Sequence, residues 1–513
     1  MTRALLSCSV FIATLLSLSA QGLDPSFGLS GKRAVGFASG ANDTPTWLHV
    51  NADGSVISVA TSNRGDGTAH TGVARLTSDG LPDDTFNGTG KNSVLFEFGV
   101  YANGALTQTD GKIVVVGMHR ASNAGSAATP GVLRFNSDGT LDTSFAVRGQ
   151  FKQKFDAISS GSFTSVHELA GGRLLCVGAS SGNINGGRTA LGMMMLNRDG
   201  SLDDTWGEGG MIREGNESGI VMGSAIAADS SIWIARAVDV PAGKVYRFVK
   251  FTKRGVAASQ FEGPFPFDEA IVSNGWFRLN DGSFILAGTL STSSGKRMTA
   301  MKFKANGVVD STFGTNGTAV VSAPQNCECR GLSVMADGGI FLSGSTSLGF
   351  GDGALCKLRG NGVPEPLWGT NGFLVFSLNG SVGTNYIQNV AMTSDGKLVV
   401  AGYDFSSDGG DVIIARIGDG PVGVQDDSNP PIHANIIYDG PTPSLRLSLD
   451  AAMNIGLEIY NIQGALISSL TLAERSAGSH VFPIDGALLG TGQYLLAMRS
   501  AYGRTSLPFV ITR

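Results

Sequence analysis

Histidine is the side chain best suited to acid–base chemistry near neutral pH, and the 513-residue chain contains six of them. Two of these, His49 and His167, stand four residues before an equivalent turn in two copies of an internal repeat. If the strands that carry them line a central channel, both imidazoles would face one cavity and could bind a ligand there. The other copies have mostly apolar residues at this position: Leu106, Ala225, Phe277, Ser333 and Ala391. Packing is therefore the stronger interpretation of both histidines.

Carboxylates recur with the same repeat. An acid stands three residues before an aromatic side chain in six places: Asp24, Asp83, Asp142, Asp203, Asp310 and Glu365. A ring of such acids could hold Ca²⁺. The neighbouring turns, such as "NSDG" and "NRDG", lack the dense Asp-x-Asp-x-Asp-Gly pattern of calcium loops and have ordinary turn chemistry. We expect a local capping role for the acids, with calcium binding as the alternative.

No motif in the chain specifies a reaction. The sequence has no GxSxG, HExxH or phosphate-binding glycine loop, and no serine has an obvious histidine partner. We therefore expect a protein without catalytic residues or a cofactor. The alternative is a secreted hydrolase or lyase with a site in the channel, built from groups such as His49 and His167.

The cysteines give a weak signal. Once Cys8 is removed with a signal peptide, Cys176, Cys327, Cys329 and Cys356 remain, far too few for a disulfide-dependent scaffold of this length. Cys327 and Cys329 are two residues apart, which places them on the same side of a strand. We expect structural or disulfide-linked cysteines. Zinc is the alternative, although no histidine lies beside Cys356 to complete a ligand set.

The elements that position these residues belong to a repeat of 52 to 61 residues. Its most constant member is the aromatic side chain that ends the acidic motif, found at Phe27, Phe86, Phe145, Trp206, Phe261, Phe313 and Trp368. Each copy also has a turn between alternating apolar runs, as in "LTQTDGKIVVVG" and "AMTSDGKLVVAG". Asp-Gly between such runs predicts a hairpin in which both turn residues take positive φ.

Two further short β-prone runs complete each copy, for example "GVLRFNSDG" and "FLVF". Seven copies of four strands predict an all-β fold, a seven-bladed β-propeller over residues 23–420. An open β-solenoid is the structural alternative. Glycine supports the all-β class, since 73 residues are Gly while only 15% are charged.

A charge pattern suggests how the ring closes. A mostly basic position stands eight residues before the acid, as in Arg75 before Asp83 and Lys357 before Glu365. The last copy has Arg416 without an acid eight residues later, and the first copy has Asp24 without a preceding base. We hypothesise that Asp24 docks beside Arg416; the alternative is that the basic residues only prevent edge-to-edge pairing of strands.

The ends of the chain indicate export. Residues 1–22, "MTRALLSCSVFIATLLSLSAQG", combine an arginine, an apolar run and small residues, which is typical of a secretory signal peptide. No later stretch has the 18 apolar residues of a transmembrane segment. The formal net charge of −5 without a basic stripe argues against a nucleic-acid partner.

After "ARIGDG" the polar stretch 421–434 reads as a linker. Residues 435–513 then show period-2 runs such as "LRLSL" and "GQYLLAMRS", which predict a small β-sandwich.

The repeat region and the tail each resemble a known family. "LDPSFGLSG", "QTDGKIVVVG" and "FNSDGTLDTSF" resemble the delta-60 repeat, which implies a propeller-like domain of a secreted or surface protein without a general catalytic residue set. The tail words "LEIYNIQGALI" (Tyr460, Gly464), "AGSHVFPID" (Gly478) and "LLGTGQYLLAM" (Gly492, Tyr494) resemble the C-terminal sorting domain of the type IX secretion system. That resemblance implies that the secretion machinery is a partner, and that the protein passes through the periplasm to the medium or the outer cell surface.

Together these features predict an exported noncatalytic propeller. Loops on rigid scaffolds commonly carry recognition, so we expect it to bind a glycan, a peptide or a surface partner through its variable loops. The longest inserts are "HRASNAGSAATPG" at 119–131 and "SSGNINGGRTALG" at 180–192.

Overall fold

The computed structural model describes residues 22–511 with internal gaps. The gaps are 97–98, 122–127, 157–158, 182–188, 215–217, 271–274, 294, 322–325, 336–337, 347–351, 367, 377, 379–384, 407–408, 419–431, 438–442, 450–452, 462–465, 477, 485–488 and 501–502. The predicted signal peptide lies outside the described residues except for Gly22, and the predicted linker does so except for 432–434. In the described residues the regular structure is β-strand with one short 3-10 helix, which confirms the all-β class.

Residues 22–418 form seven successive antiparallel units of about four strands; units 1, 2 and 7 join in one 13-stranded sheet, and units 3 to 6 are separate sheets of four or five strands. The chain begins with β1 Gly22–Leu23 and β2 Lys32–Val35. Unit 1 contains β3 Asn42–Val50, β4 Val56–Asn63, β5 Ala69–Leu76 and β6 Lys91–Val94. Unit 2 contains β7 Gly99–Thr107, β8 Ile113–Arg120, β9 Thr129–Phe135 and β10 Gln150–Lys152. Unit 3 contains β11 Ser160–Leu169, the 3-10 helix Ala170–Gly172, β12 Arg173–Ser181, β13 Thr189–Leu196 and β14 Met211–Glu214.

The remaining units follow the same order. Unit 4 contains β15 Gly219–Ile226, β16 Ile232–Val240, β17 Gly243–Phe251 and β18 Ala257–Pro264. Unit 5 contains β19 Glu269–Ala270, β20 Trp276–Arg278, β21 Phe284–Thr292, β22 Gly295–Phe303 and β23 Thr318–Val320. Unit 6 contains β24 Cys327–Val334, β25 Ile340–Thr346, β26 Gly353–Leu358 and β27 Phe373–Phe376. Unit 7 contains β28 Asn385–Met392, β29 Leu398–Ser406 and β30 Gly409–Gly418.

The outer strand of unit 7 comes from the other end of the chain. β2 pairs antiparallel with β30, with Lys32 opposite Ala415 and Val35 opposite Val412. Single parallel bridges join unit 7 to unit 1 and unit 1 to unit 2, at Asn42↔Gly410 and Ala69↔Gly99.

Apolar clusters lie between successive units, and their order is cyclic. Units 1 to 6 each share one cluster with the next unit, and a seventh cluster joins unit 7 to unit 1. Six of these clusters contain the aromatic residue of the repeat motif, for example Phe86 between units 1 and 2 and Phe27 between units 7 and 1, and the partly buried Phe261 packs against the cluster between units 4 and 5. Burying such a ring contributes about 1.5–3 kcal/mol. This packing explains why the aromatic position recurs, because in each repeat the ring fills the space between one unit and the next.

The predicted positive φ at both turn positions is found at Gly171 and Gly172 but is wrong for the Asp-Gly turns at 53–54, 110–111, 281–282 and 395–396, where only the glycine takes it. In unit 1 the loop is residues 51–55, Gly54 N bonds to Asn51 O, and Asn51 N bonds to Ser55 O. Gly54 takes positive φ, but Asp53 does not. Its carboxylate instead accepts hydrogen bonds from the amide and hydroxyl of Ser55. In this longer loop a turn is followed by a glycine in the left-handed region, and the aspartate carboxylate caps the turn by accepting these hydrogen bonds.

The first strand of a unit carries a β-bulge in units 1 to 4, 6 and 7. The bulged residues are Thr46, Asn103, Thr164, Met222, Arg330 and Gln388. The bulge brings a backbone carbonyl close to the second strand. A Cβ on Gly117 would lie 1.8 Å from Tyr101 O, which explains the glycine that ends "KIVVVG".

The tail forms two further sheets. One contains β31 Ile432–Ile437, β32 Ser444–Leu449 and β35 Gly478–Pro483, and the other contains β33 Met453–Asn461, β34 Leu466–Arg475, β36 Gly492–Ser500 and β37 Gly503–Ile511. Side chains of both sheets, including Leu447, Ile455 and Met498, form one apolar cluster. β31 begins at Ile432, inside the predicted linker. In the described part of the chain, no helix has the length and apolarity needed to cross a membrane.

Candidate functional site

His167 lies among hydroxyl groups at the junction of units 3 and 4. Its Nε2 is 2.8 Å from Ser224 Oγ, which in turn is 2.5 Å from Ser165 Oγ. Burial lowers the pKa of His167 to about 4 against the opposing hydrogen bond with Ser224, so the imidazole is neutral at pH 7. The three side chains bridge the first strands of the two units.

His49 has a different environment. It is half-buried on β3 of unit 1 and stacks on Trp47, with ring centroids 5.4 Å apart. Burial lowers the pKa of His49. The structure thus gives the two histidines equivalent positions in their units but separate partners, an indole for one and two serine hydroxyls for the other.

Asp24 and Arg416 are brought together although they are 392 residues apart. Arg416 Nε donates to Asp24 Oδ2 at 3.0 Å, and Lys397 Nζ donates to the same oxygen at 2.8 Å. Burial of Asp24 opposes ionisation, but the bonds from Lys397 and Ser26 and the charge of Arg416 outweigh it and hold the pKa of the carboxyl below its usual value. The Arg416 guanidinium also reaches the carbonyl of Ser78 in unit 1.

Two internal copies repeat this arrangement. Arg75 Nε donates to Asp83 at 2.6 Å and Arg134 Nε donates to Asp142 at 2.7 Å. Each guanidinium also donates to a turn carbonyl of the next unit, Ser137 O at 2.7 Å and Arg198 O at 2.6 Å. The backbone amide of the acid bonds to the carbonyl of the arginine in both copies, as Asp24 N does to Arg416 O at 2.8 Å. The N-terminal segment therefore docks on β30 in the same geometry that the repeat uses internally.

Glu365 departs from the predicted pattern. Its partner is Arg359, which approaches with two hydrogen bonds of 2.8 and 3.0 Å, whereas Lys357 keeps only the backbone bond to Glu365 N at 2.9 Å. The forked guanidinium can bind both carboxylate oxygens, which a lysine cannot do. A void of about 130 Å³ remains between units 6 and 7, lined by Lys357, Trp368 and Gly418 among others.

The other acids have local partners. Asp203 pairs with Arg173 at 3.0 Å, and Asp310 accepts a hydrogen bond from the Thr312 hydroxyl at 2.7 Å. The hydroxyl two residues after the acid is bonded in the same way at Ser26, Thr85, Ser144 and Thr205.

The cysteines are buried thiols. Cys176, Cys327, Cys329 and Cys356 are free, and the last three belong to the apolar cluster between units 5 and 6. Burial raises the pKa of each thiol, which disfavours the reactive thiolate.

The tail motif residues lie on both sheets. Tyr494 stands opposite Asn461, next to Tyr460, and its hydroxyl donates to Gly490 O at 3.0 Å. Gly492 begins β36, and Gly478 begins β35 with a positive φ. Gly464 lies outside the described residues.

A cleft of about 570 Å³ opens at the outer edge of units 2 and 3. Its lining includes His119 and Thr129, at the ends of strands β8 and β9, and Lys152, Lys154 and Phe155 beside the outer strand. It lies at the base of the insert 119–131, whose central residues 122–127 are outside the described part. Sequence reasoning selected the insert but missed the lysines, because their spacing matches any exposed strand.

Comparisons with known proteins agree with the architecture. Three segments, 51–86, 108–145 and 393–418, match the model of a β-propeller domain of unknown function, DUF5122. No curated protein matches the sequence. The repeated sheets and matched segments define the chain as a propeller-type repeat protein.

Three solved structures that resemble the chain are distant from it in sequence. A protein of unknown function from Dyadobacter fermentans is 9% identical, with 77% of this chain and 99% of that chain covered and a TM-score of 0.42. A PL25 ulvan lyase is 10% identical, with 76% and 96% covered and a TM-score of 0.39. PorZ, a surface component of the type IX secretion system of Porphyromonas gingivalis, is 11% identical, with 90% and 69% covered and a TM-score of 0.30.

Proposed function

We propose that the chain is an exported, noncatalytic binding protein built on a closed seven-bladed propeller of delta-60 repeats. The cyclic order of the seven apolar clusters and the docking of β2 on β30 support ring closure. The C-terminal two-sheet segment acts as a sandwich-like sorting domain for type IX secretion, and the mature protein reaches the medium or the outer cell surface. The resemblance of the tail motifs supports this part.

One observation carries the binding role: the 570 Å³ cleft lies at the base of the insert 119–131, one of the two longest in the repeat region. Outside the cleft, the titratable side chains that could take part in catalysis have structural contacts. His167 bridges two units, and the acids Asp24, Asp83 and Asp142 pair with arginine. Clefts that bind ligands combine a shaped apolar surface with a few polar groups, and this cleft has both.

The test is a thermal-shift screen of the mature chain against polysaccharides, peptides and calcium with an EDTA control. A ligand that raises the melting temperature and is recovered unchanged supports a binding protein. Conversion of that ligand to product would refute the noncatalytic role. Deletion of residues 435–513 should abolish export, and normal export of the truncated chain would refute the sorting role.

A second candidate is a hydrolase that uses Ser224 and His167. The 2.8 Å contact favours it, because the His167 imidazole is neutral at pH 7 and can accept the serine proton. If it is correct, Ser224→Ala abolishes hydrolysis of an activated ester while the melting temperature changes little.

A further inference from the structure

The outer strand of unit 4 differs in length from the outer strands of the other units. Within the described residues β18 has eight residues, whereas β2, β6, β10, β14, β23 and β27 have three or four. Unit 4 lacks the acidic motif, because Ala258 stands eight residues after Lys250, where most other units have an acid. The chain instead turns at 252–256 and pairs with β17 from Phe251 to Val245. Loss of the motif therefore leaves a long strand at the outer edge of this unit.

The other edge of β18 faces solvent. In the part of the chain that the structure describes, β17 pairs with β18 on one side and no strand pairs with it on the other. Residues 257–260 are exposed, as are Glu262 and Pro264. The unpaired N–H and C=O groups of such an edge are a template for another strand.

The middle of this edge has none of the usual protection. Lysines, prolines and bulges prevent strands from pairing edge to edge. β18 contains no basic residue, and its bulge at Ala258 and its proline at Pro264 lie near its two ends. Residues 259–263 lie between them in regular pairing with β17. The one ionisable side chain of this segment, Glu262, accepts a hydrogen bond from Arg247 Nε at 2.8 Å, which balances its charge.

Phe261, on the same segment, also sets unit 4 apart. The other six aromatic residues of the repeat motif are at most 4% exposed, whereas Phe261 is half-buried. Its ring is nevertheless held in place, since it stacks on Trp233 with centroids 6.2 Å apart. A Cβ on Gly307 would lie 2.5 Å from Phe261 Cβ, so the turn of unit 5 also packs closely against it. A fixed aromatic ring with an exposed part offers apolar surface to an added strand.

The segment 259–263 is complementary to itself in the antiparallel direction. When Phe261 stands opposite Phe261 of a second copy, Gln260 stands opposite Glu262 and Ser259 opposite Gly263. Opposed aromatic rings are a favourable cross-strand pair, and the amide of Gln260 can donate to the carboxylate of Glu262. Pairing centred on Glu262 would instead place two like charges opposite each other, which is unfavourable. The side chains therefore favour a register centred on Phe261.

We propose that β18 pairs antiparallel with β18 of a second copy of this chain, with Phe261 opposite Phe261. The two four-stranded sheets of unit 4 then form one continuous sheet. Such a contact uses the same surface on both copies and closes as a twofold dimer. The dimer is independent of the ligand cleft, which lies at units 2 and 3.

The test is sedimentation velocity of the full mature chain over a concentration series, in which we expect a monomer–dimer equilibrium. Gln260→Glu places a second carboxylate opposite Glu262 in both symmetric pairs and should weaken dimerisation about tenfold. Gln260→Lys places a cation there and should not weaken it. The matched control Val147→Glu adds the same negative charge at an exposed position of unit 2 and should dimerise normally. Gln260 is exposed, so an unchanged melting temperature of the monomer confirms that both Gln260 variants fold.

A monomer at every concentration would overturn the proposal, as would equal weakening by Gln260→Glu and Val147→Glu. Weakening by Gln260→Lys as strong as that by Gln260→Glu would refute the register. Hydrogen exchange locates the contact independently, because the outward-facing amides of 259–263 should exchange more slowly in the dimer than in the monomer. Equal exchange in the two states would place the dimer contact elsewhere. Protection of these amides in a monomer by an added peptide of the thermal-shift screen would assign the edge to a peptide ligand and overturn the dimer.

Discussion

The contact between Asp24 and Arg416 allows a quantitative test of ring closure. The side chains are only 9% and 11% exposed, so the pair resembles a buried ion pair more than a surface one. In Asp24→Asn the Arg416 cation loses its carboxylate partner, and Lys397 keeps the more distant Asp395 carboxylate, 3.9 Å away. Loss of charge-assisted hydrogen bonds of this kind costs about 2–4 kcal/mol.

The corresponding change in melting temperature follows from chain length. Roughly 390 residues of ring unfold with an entropy near 0.8 kcal/mol/K, so Asp24→Asn should lower the melting temperature by about 2–5 °C. Calorimetry of the mature protein measures this value.

Asp142→Asn is the matched control. Asp142 has equivalent bonds to Arg134 and Lys112, but its arginine is only eight residues away along the chain. Both variants should lose similar stability. Only Asp24→Asn should speed amide hydrogen exchange in β2 and β30, because only that pair joins the two ends of the ring. A loss below about 0.5 kcal/mol, or equal exchange in the two variants, would refute the closure hypothesis.

The same pair predicts a pH dependence. The pKa of Asp24 is lower in the folded protein than its ordinary value of about 3.9. The pair therefore contributes fully above pH 4 and loses its contribution as the pH falls from there toward the folded pKa. The stability difference between the natural chain and Asp24→Asn should shrink below pH 4.

Three further predictions concern other junctions. The pKa of His167 is about 4 in the folded protein, so the unfolded chain binds a proton first as the pH falls from about 6.5. The free energy of unfolding should therefore drop by about 1–3 kcal/mol between pH 6.5 and pH 4. In urea titrations His167→Gln should flatten this pH dependence. Gly117→Ala should lower the free energy of unfolding by about 1–3 kcal/mol in the same assay, because the new Cβ would lie too close to the Tyr101 carbonyl. The control Gly65→Ala should change this free energy little, because its Cβ would meet no atom within 4 Å. Equal effects of the two substitutions would refute the explanation from the bulge. Lys357→Arg should place a guanidinium in the void between units 6 and 7, where it can donate to the Glu365 carboxylate as Arg75 does to Asp83, and raise stability by about 0.5–1.5 kcal/mol; an unchanged melting temperature would show that the larger cation makes no such bond.

Much of the architecture could be predicted because the same sequence pattern occurs in several copies of the repeat. The aromatic that recurs at Phe27, Phe86 and Phe145 fills the same place between units each time. The apolar runs of strands such as β8 are covered on both faces, and glycines mark their turns. Local interactions fix these features, so they are visible in a single sequence.

The candidate site was less predictable. The sequence offered His49 and His167 as a pair, yet hydroxyls of units 3 and 4 surround one and an indole stacks on the other. The predicted pairing of the Lys357 side chain with Glu365 is wrong, because the forked guanidinium of Arg359 binds both oxygens of that carboxylate. Neither outcome follows from spacing along the chain, since both depend on which side chains meet across strands and units.

The sequence by itself determined the all-β class, the period of the repeat and the residues that plug one unit against the next, because propensity and burial act within each copy. Only the tertiary structure decided where the bulges lie, which carboxylate meets which cation, and that Lys152, Lys154 and Phe155 line one cleft. These depend on how separate strands pack in space, and contacts between distant parts of a chain leave little trace in its local pattern.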